Sequence, residues 1–370
     1  MPKISLCMIV KNEEEVIERC LKSICCFVDE IIIVDTGSTD KTKQLAKNFT
    51  NLIFDFVWCD DFSKARNFAI SKASGDYVMW LDADDVVPKS TLNYLLKQKP
   101  YLTKDCYMLK YNIAFDGKKP TFSFYRERIL KNDYRCKFVG AVHECITPFG
   151  EVEKLNVAIN HNKAKCGDKN RNLKIYNNLK KQRELTPREQ YYYSRELFDH
   201  KKYKQCVNNL NKLQKMPDVW VENRIESLCI LSQCYQILGD KEKALSCLLK
   251  TLKYDTPRAN VCCQIADYFL KEKMYEKSVY WYTQATLAED VIGKGGFVEP
   301  IYYNYYPFLG LCCSYFYQKN YKKSNYYNEK AWKIKQTKEV EMNRELLKDF
   351  IKWHKKRKAK TFLYLLVQSC

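Results

Sequence analysis

The sequence has no apolar run of the ~20 residues that a membrane-spanning helix needs. The segment 362–367 is apolar but far too short, and the apolar amino terminus meets Lys11 before it reaches the length of a signal peptide. We therefore expect no transmembrane segment and a cytoplasmic location.

No two cysteines have the Cys-x-x-Cys spacing, although the chain has 18 cysteines. They are spread over the whole length and include three adjacent pairs, which cannot readily form a bridge between neighbours. Disulfide frameworks are typical of small secreted chains. We predict reduced, mostly buried thiols in a cytosolic protein.

Two nucleotide-binding fingerprints are also missing. The sequence has neither Gly-x-Gly-x-x-Gly nor a Walker lysine loop, which argues against NAD enzymes and P-loop ATPases. Lys and Arg number 63 against 44 Asp and Glu, a net charge of +19 that will attract anions such as nucleotides. Much of this excess lies on predicted helical faces that water can solvate, so we expect no nucleic-acid partner.

Four β-rich segments alternate with helical ones at the start of the chain. They cover residues 4–10, 30–34, 53–57 and 77–81. This alternation predicts a parallel sheet with right-handed crossovers. Because open sheets of this kind bind ligands at the carboxyl ends of their strands, the residues that follow each strand are the candidate site.

The fourth segment ends in Asp82-Ala83-Asp84-Asp85. Carboxylates this close repel one another, which costs free energy unless a cation lies among them. Oxygen ligands at i and i+2 suit Mg²⁺ or Mn²⁺ that also binds phosphate. A polar turn at the end of a strand is the alternative, since Asp is common in turns.

The second segment is followed by a polar loop from Asp35 to Asp40. Gly37 permits a tight turn, and the polar residues after it are good helix caps, so the next helix would present free amides to an anion. Asp35 is placed to accept from a nucleoside base or ribose. In the third helix, Arg66 is expected to face away from the apolar positions and to bind pyrophosphate or a base carbonyl. An ordinary strand-to-helix turn remains the alternative for the loop.

Four motifs, in residues 4–12, 34–40, 61–67 and 75–85, together resemble glycosyltransferase family 2. This is an inverting group with the GT-A fold that uses nucleotide sugars. The resemblance covers about the first ninety residues and is strongest to the branch of the lipopolysaccharide-core β-glucosyltransferases, which carries a helical-repeat tail. It implies a UDP-sugar donor such as UDP-glucose, with Mn²⁺ or Mg²⁺ as cofactor.

The resemblance also implies roles for single residues. Asp35 would bind the uracil, and Asp84 would bind the metal that bridges the diphosphate, with Asp82 at the ribose or in the metal shell and Asp85 assisting. The implied nucleotide-binding residues are Asp35, Ser38, Asp40, Arg66, Asn67 and Asp82.

An inverting transfer needs a general base for the attacking hydroxyl. Two further β-rich segments, residues 106–115 and 121–130, predict a hairpin, and Gly140-Ala141-Val142-His143-Glu144 follows. The same branch of the family has a Gly-x-Val-His-Glu motif here, which implies Glu144 as the base, with His143 orienting it or the acceptor. Glu127 is the reserve candidate, although its flanking arginines suggest a salt bridge.

His161 is one of only four histidines and follows a predicted strand over residues 157–160. Many GT-A enzymes have a histidine near the end of the domain, and the resemblance implies His161 as a metal ligand beside Asp84 and Asp82. An ordinary core or surface histidine is the alternative. Lys165, Lys169 and Arg171 follow, either as a mobile basic loop over the diphosphate or as solvated cations.

From residue 186 onward the sequence changes to helices with an internal repeat. Small residues recur twelve positions apart, and the second members of these pairs are separated by 38, 34 and 46 residues. This resembles tetratricopeptide repeats, whose period is ~34 residues and whose concave face can hold a protein partner. A last helix over residues 340–358 would cap the array. The pairs are Ser194 and Cys206, Ser232 and Ala244, Ala266 and Ser278, and Cys312 and Ser324.

We therefore expect an α/β GT-A domain, with a Rossmann-like nucleotide-sugar-binding sheet, in residues 1–165. A linker helix over 166–186 and an all-α tetratricopeptide-like solenoid over 187–370 would follow. The expected function is metal-dependent, inverting transfer of a hexose from a UDP-sugar to a hydroxyl of a glycan, lipid-linked or protein acceptor. A non-catalytic repeat scaffold with a relic sheet is the alternative, and the intact Asp82-x-Asp84 and Glu144 favour the enzyme.

Overall fold

The computed structural model describes residues 1–117, 119–162, 168–289 and 299–354. The chain forms two compact units, Met1–Glu189 and Gln190–Cys370. The division lies three residues beyond the predicted start of the repeats at residue 187. The predicted boundary between residues 165 and 166, with Lys165, lies outside the described residues.

An eight-stranded mixed sheet forms the centre of the first unit within its described residues. Its order is β3-β2-β1-β4-β7-β6-β8-β5, and the four strands at its first edge are parallel, as predicted. Strand β7 pairs antiparallel with both β4 and β6, so the predicted hairpin extends the sheet. The strands are β1 (Ile4–Val10), β2 (Glu30–Asp35), β3 (Ile53–Asp55), β4 (Tyr77–Trp80), β5 (Asp85–Val86), β6 (Cys106–Asp116), β7 (Lys119–Lys131) and β8 (Val152–His161).

Helices cover both faces of the parallel half, which explains why its strands are continuously apolar. Alternate residues of β1 enter different cores, with Leu6 and Met8 in one and Cys7 in the other. Asp61 caps the third helix by accepting from the backbone N–H of Lys64 at 3.0 Å. The helices are α1 (Ile17–Ile24), α2 (Thr42–Ala46), α3 (Phe62–Ile70), α4 (Lys89–Gln98) and α5 (Arg171–Gln182).

The predicted linker helix corresponds to α5, which the structure includes in the first unit. Tyr176 on α5 is fully buried, and its hydroxyl donates to the carbonyl oxygen of Val142 at 3.3 Å. Burial of this aromatic side chain fixes α5 against the segment that carries Glu144.

The second unit consists of helix pairs followed by a single helix. Small residues meet at the predicted offset of twelve, where Ser324 Oγ donates to the carbonyl oxygen of Cys312 at 2.8 Å and Cys206 Sγ to that of Ser194 at 3.2 Å. Hydrogen bonds thus join two of the four predicted pairs, and all eight small residues are buried. The helices are α6 (Pro187–Asp199), which begins before the division, α7 (Tyr203–Lys215), α8 (Val221–Ile237), α9 (Lys241–Thr251), α10 (Ala259–Lys271), α11 (Tyr275–Leu287), α12 (Tyr305–Tyr317), α13 (Tyr321–Ile334) and α14 (Lys338–His354).

The predicted last helix is α14, and residues 355–358 of that prediction lie outside the described residues. Every cysteine in the described part of the chain is free, and most are buried. No helix in the described part of the chain is both long enough and apolar enough to span a bilayer.

Candidate active site

The acidic residues after β4 lie where the short strand β5 pairs with the end of β8. The pairing is antiparallel and sets Asp85 directly opposite His161. A long-range sheet register therefore brings together two residues that are 76 positions apart in sequence.

Asp84, Asp85 and His161 form a compact cluster with the chemistry of a metal site. An Oδ1 atom of each aspartate lies 3.3 Å from His161 Nδ1, and one ligand atom from each residue lies within 4.8 Å of the others. Asp85 is fully buried, whereas the Asp84 and His161 side chains are 23% and 25% exposed. The hydrogen bonds that His161 donates to the carboxylates of Asp84 and Asp85 raise its pKa to about 10. Even with His161 protonated, the two carboxylates leave the cluster with a net negative charge. A divalent cation that replaced this proton would compensate it.

Two residues that the sequence analysis did not assign to this site, Tyr111 and Arg128, hold the Asp85 carboxylate. Its Oδ1 accepts from the Tyr111 hydroxyl at 2.7 Å, and its Oδ2 lies 3.2 Å from Arg128 Nη1. Arg128 is fully buried, with its guanidinium 3.9 Å from the Trp80 ring centre and 4.3 Å from that of Tyr111. In the sequence, Arg128 stood out only as one of the two arginines that flank Glu127.

Asp82 lies outside the Asp84–Asp85–His161 cluster and binds Arg66 instead. Arg66 Nη2 donates to Asp82 Oδ1 at 2.6 Å, and Arg66 Nε donates to Glu144 Oε1 at 2.7 Å. Burial alone would raise the pKa of Asp82, but the guanidiniums of Arg66 and Arg128 outweigh it and lower that pKa to about 2. One arginine therefore joins the acidic motif to the candidate base.

The sequence suggested that Arg66 faces away from the apolar side of α3, and this prediction is wrong. Arg66 is buried, with its guanidinium 5.0 Å from the Trp80 ring centre and 5.3 Å from that of Phe138. Aromatic faces and two carboxylates together compensate the buried charge.

Glu144 lies at the end of a short loop whose two ends are joined by backbone hydrogen bonds. Val139 and Cys145 exchange backbone hydrogen bonds of 2.9 Å and 3.2 Å. Inside the loop, Gly140 and His143 both adopt left-handed backbone angles, with φ of 103° and 53°. His143 is exposed, whereas Glu144 is 12% exposed and directed at Arg66. The loop thus holds the carboxylate in place through its backbone.

The reserve base Glu127 is 5% exposed and occupied by protein contacts. Its Oε1 accepts from Arg126 Nη2 at 3.2 Å and from the Ile146 backbone at 3.4 Å, in agreement with the salt-bridge interpretation. Asn67 is occupied as well, because its amide forms hydrogen bonds of 2.9 Å and 2.8 Å with both backbone groups of Phe138. It ties α3 to the strand-like segment before Gly140.

Asp35, the last residue of β2, is buried with only one of its carboxylate oxygens hydrogen-bonded. Asp35 is 2% exposed, and its Oδ2 accepts from the backbone N–H groups of Gly37 and Ser38 at 3.1 Å and 3.0 Å. Its Oδ1 is buried with no hydrogen-bond partner. A buried acceptor without a donor is costly, so this atom is suited to a ligand N–H group.

Ser38 and Asp40 connect the loop after β2 to the one after β1. Ser38 Oγ accepts from the Asn12 backbone at 2.9 Å, and Asp40 Oδ2 accepts from the Glu14 backbone at 3.2 Å. These contacts hold the two loops together at the carboxyl ends of adjacent strands.

Comparison with known proteins shows which family the first unit resembles. Residues 5–149 match the model of Glycosyl transferase family 2. Over these residues the first unit resembles a family 2 glycosyltransferase domain. The chain has the predicted fold class, a GT-A-like α/β domain followed by tetratricopeptide-like helices.

Two curated relatives and one solved structure illustrate the similarity. The chain is 48% identical over 85 residues to a TPR repeat-containing protein of Synechococcus elongatus, covering 23% of this chain and 21% of that protein. It is 27% identical over 286 residues to the SPbeta prophage-derived glycosyltransferase SunS of Bacillus subtilis, covering 72% of this chain and 66% of SunS. Glucosyl-3-phosphoglycerate synthase from Mycobacterium tuberculosis, solved with Mg²⁺ and uridine-diphosphate, is 27% identical with a TM-score of 0.26, over 30% of this chain and 44% of that chain.

Proposed function

We propose that this protein is an inverting, metal-dependent hexosyltransferase that uses a UDP-sugar such as UDP-glucose and a hydroxyl acceptor on a glycan, lipid or protein. The observation that carries the proposal is the arrangement around Arg66, which joins the acidic motif to Glu144 inside a family 2 domain. The Gly140–Glu144 motif favours the branch that includes lipopolysaccharide-core β-glucosyltransferases.

Asp35 supports the choice of a uridine nucleotide. Its buried Oδ1 has no protein donor, and the imide N–H of uracil would supply one. Loops that end adjacent parallel strands form the crevice where such sheets bind nucleotides. Asp82, which Arg66 holds at the same edge, would bind the ribose or the water shell of the metal.

Asp84, Asp85 and His161 would hold Mn²⁺ or Mg²⁺. The ion would neutralise the charge that develops on the leaving diphosphate. Asp85 would be the fixed ligand, because Tyr111 and Arg128 already hold its carboxylate. Asp84 and His161, which are partly exposed, would complete the site from the solvent side.

Glu144 would take the proton from the acceptor hydroxyl as that hydroxyl attacks the anomeric carbon. The attack comes from the face opposite the diphosphate, so the anomeric centre is inverted. Arg66 orients the carboxylate through the 2.7 Å hydrogen bond from Nε. The backbone bridge between Val139 and Cys145 closes the loop that carries Glu144.

The test is turnover of a panel of UDP-sugars by the full chain, with and without Mn²⁺, together with calorimetric binding of UDP. We expect metal-dependent turnover of one donor and metal-dependent UDP binding. Absence of both would support the scaffold alternative, in which the helical repeats bind a protein partner and the sheet is a relic.

A further inference from the structure

The hydroxyl group of Tyr111 contacts two members of the candidate metal cluster at once. Its oxygen lies 2.7 Å from Asp85 Oδ1 and 2.8 Å from His161 Nδ1. The contact with His161 means that the hydroxyl does more than hold one carboxylate. It lies beside two of the three residues whose side chains have the spacing of a metal site.

Three neighbouring strands bring these side chains together. The sheet order β6-β8-β5 places Tyr111, His161 and Asp85 on adjacent strands. Strands β6 and β8 run parallel with Tyr111 opposite Ile159, so His161, two residues further along β8, lies on the same face of the sheet. Asp85 is opposite His161 on β5. The register of the sheet therefore determines where the hydroxyl lies.

The ring of Tyr111 is packed on several sides, so its hydroxyl has a defined position. Tyr111 is only 7% exposed. Its ring meets that of Phe124, its partner on β7, edge to face, with the ring centres 5.8 Å apart. The guanidinium of Arg128 lies 4.3 Å from the centre of the same ring. A polar group held by packing in this way is preorganised for a ligand.

The hydrogen bonds of the hydroxyl show where its oxygen is directed. A carboxylate can only accept, so the single proton of the Tyr111 hydroxyl is donated to Asp85 Oδ1. The hydroxyl oxygen then accepts from His161 Nδ1. Asp84 Oδ1 and Asp85 Oδ1 both lie 3.3 Å from the same nitrogen. Oxygen atoms of three residues are therefore grouped around the proton on Nδ1.

A divalent ion that replaced this proton would meet the same atoms. Mg²⁺ and Mn²⁺ bind oxygen ligands, neutral ones included, and neighbouring ligands of an octahedral ion with bonds of about 2.1 Å lie about 3 Å apart. The distances of 2.7, 2.8 and 3.3 Å between these atoms are close to that spacing. The hydroxyl oxygen thus fits the site as the carboxylates do.

We propose that Tyr111 is a further ligand of the metal site, where it provides a neutral hydroxyl oxygen beside Asp84, Asp85 and His161. The inference rests on the metal dependence of the proposed function and adds one residue to that site. The hydroxyl keeps its hydrogen bond to Asp85 when the ion is bound. Because its oxygen is neutral, it adds a bond to the ion without adding to the negative charge of the two carboxylates.

The experiment measures binding of Mn²⁺ alone to the full chain by electron paramagnetic resonance. The test variant is Tyr111→Phe, which removes the hydroxyl and keeps the buried ring. The matched control is Tyr107→Phe on the same strand, because Tyr107 is 2% exposed and its hydroxyl accepts only from the backbone N–H groups of Thr103 and Lys104, at 2.7 Å and 3.0 Å. We expect the affinity for Mn²⁺ to fall by about tenfold or more in Tyr111→Phe and to stay unchanged in the control, with both variants folded by thermal unfolding.

A second measurement separates a ligand from a group that only holds Asp85. When a ligand is removed, a water molecule takes its place on the ion. The broadening of the Mn²⁺ signal in H₂¹⁷O should therefore show one more bound water in Tyr111→Phe than in the wild-type chain and no change in the control.

Four outcomes would overturn the inference: no Mn²⁺ binding by the wild-type chain, unchanged affinity in Tyr111→Phe, an equal loss in Tyr107→Phe, or an unchanged number of bound waters. Turnover of UDP-sugars with and without Mn²⁺ is measured separately on the same samples. Turnover that does not depend on the metal would refute the metal dependence of the proposed function. Metal-dependent turnover with unchanged Mn²⁺ affinity in Tyr111→Phe would refute only the role of Tyr111.

Discussion

The two units bury charged side chains in contrasting ways. In the second unit, both oxygens of Glu222 accept from Arg258, at 2.7 Å and 2.8 Å, and Asp255 adds a further contact of 3.1 Å to the same guanidinium. In the first unit, His161 lies between two carboxylates. Asp35 keeps a buried oxygen with no partner.

The contrast shows which kind of buried charge marks a candidate site. The pair of Glu222 and Arg258 is complete within the protein, so it serves packing. The charges at the sheet edge are compensated only in part, since two carboxylates surround the single imidazole of His161. Incomplete compensation, more than burial of charge itself, distinguishes a site that is prepared for a ligand.

The largest loss should follow Asp84→Asn. Removing this carboxylate charge leaves the cluster without one of its two anionic ligands, so we expect metal-dependent UDP binding to disappear and transfer to fall by at least about 10³-fold. Calorimetry with UDP and Mn²⁺ measures the binding. Retained Mn²⁺-dependent binding would remove Asp84 from the metal site, and an unchanged unfolding temperature would show that the fold is intact.

Glu144→Gln should lower kcat by about 10²- to 10⁴-fold and leave binding of UDP and metal unchanged. The glutamine carbonyl can still accept from Arg66 Nε, so the geometry is preserved while the basic group is lost. Single-turnover transfer measures the step. Activity close to wild type would transfer the role of base to Glu127.

Arg66→Lys should lower kcat by about a hundredfold, because an ammonium group cannot hold Asp82 and Glu144 in one planar fork. We expect a smaller change in the KM for the donor. A large loss of UDP affinity with little change in kcat would instead show that Arg66 binds the nucleotide.

The raised pKa of His161 predicts a pH dependence for metal binding. Protons compete with the ion below a pKa of about 10, so affinity for Mn²⁺ should rise by about tenfold per pH unit as pH increases toward that value. The folding stability of the metal-free chain should change in the opposite direction and fall as pH increases. The pKa of folded His161 is raised above the unfolded value of about 6.5. The stabilisation that the protonated imidazole provides is therefore fully present below pH 6.5 and is lost as pH rises through about 10.

Titration of Mn²⁺ binding and of the metal-free unfolding temperature against pH measures both trends. His161→Gln should flatten each of them. Persistence of the same pH profile in that variant would assign the titration to another group.

The smallest effect on activity should come from Glu222→Ala. The change leaves Arg258 buried with fewer partners and should destabilise the second unit by about 3–5 kcal/mol, with kcat unchanged at temperatures where the chain stays folded. Thermal unfolding measures the loss. The double variant Glu222→Leu/Arg258→Met, which removes both charges, should recover most of the stability, and a failure to recover it would mean that the pair does more than pack.

Much of the fold could be predicted from the sequence because the patterns that indicate its strands and helices are local. Continuous apolar runs gave β1 to β4, and small residues twelve positions apart gave the helix pairs. Strand β5 has only two residues, Asp85 and Val86, and carries no periodic signal. Its pairing with β8, which brings Asp85 to His161, depends on long-range register that a local pattern does not encode.

The candidate site divides in the same way. Asp35, Asp82, Asp84 and Glu144 lie at strand ends or after a glycine turn, so local motifs made them candidates, and the family resemblance suggested their roles. The inward direction of Arg66 and the burial of Arg128 arise from partners 16 and 48 residues away in sequence. No local rule states that Trp80 would accommodate both guanidiniums.

Trp80 also offers a practical consequence. Its indole lies 5.0, 4.9 and 3.9 Å from the guanidiniums of Arg66, Arg126 and Arg128, which surround one of the six tryptophans in the chain. The emission of an indole responds to nearby fields, so a chain in which the other five tryptophans are replaced by phenylalanine would report ion and nucleotide loading as a change in fluorescence. The same ring that packs the guanidiniums would serve as a built-in optical probe.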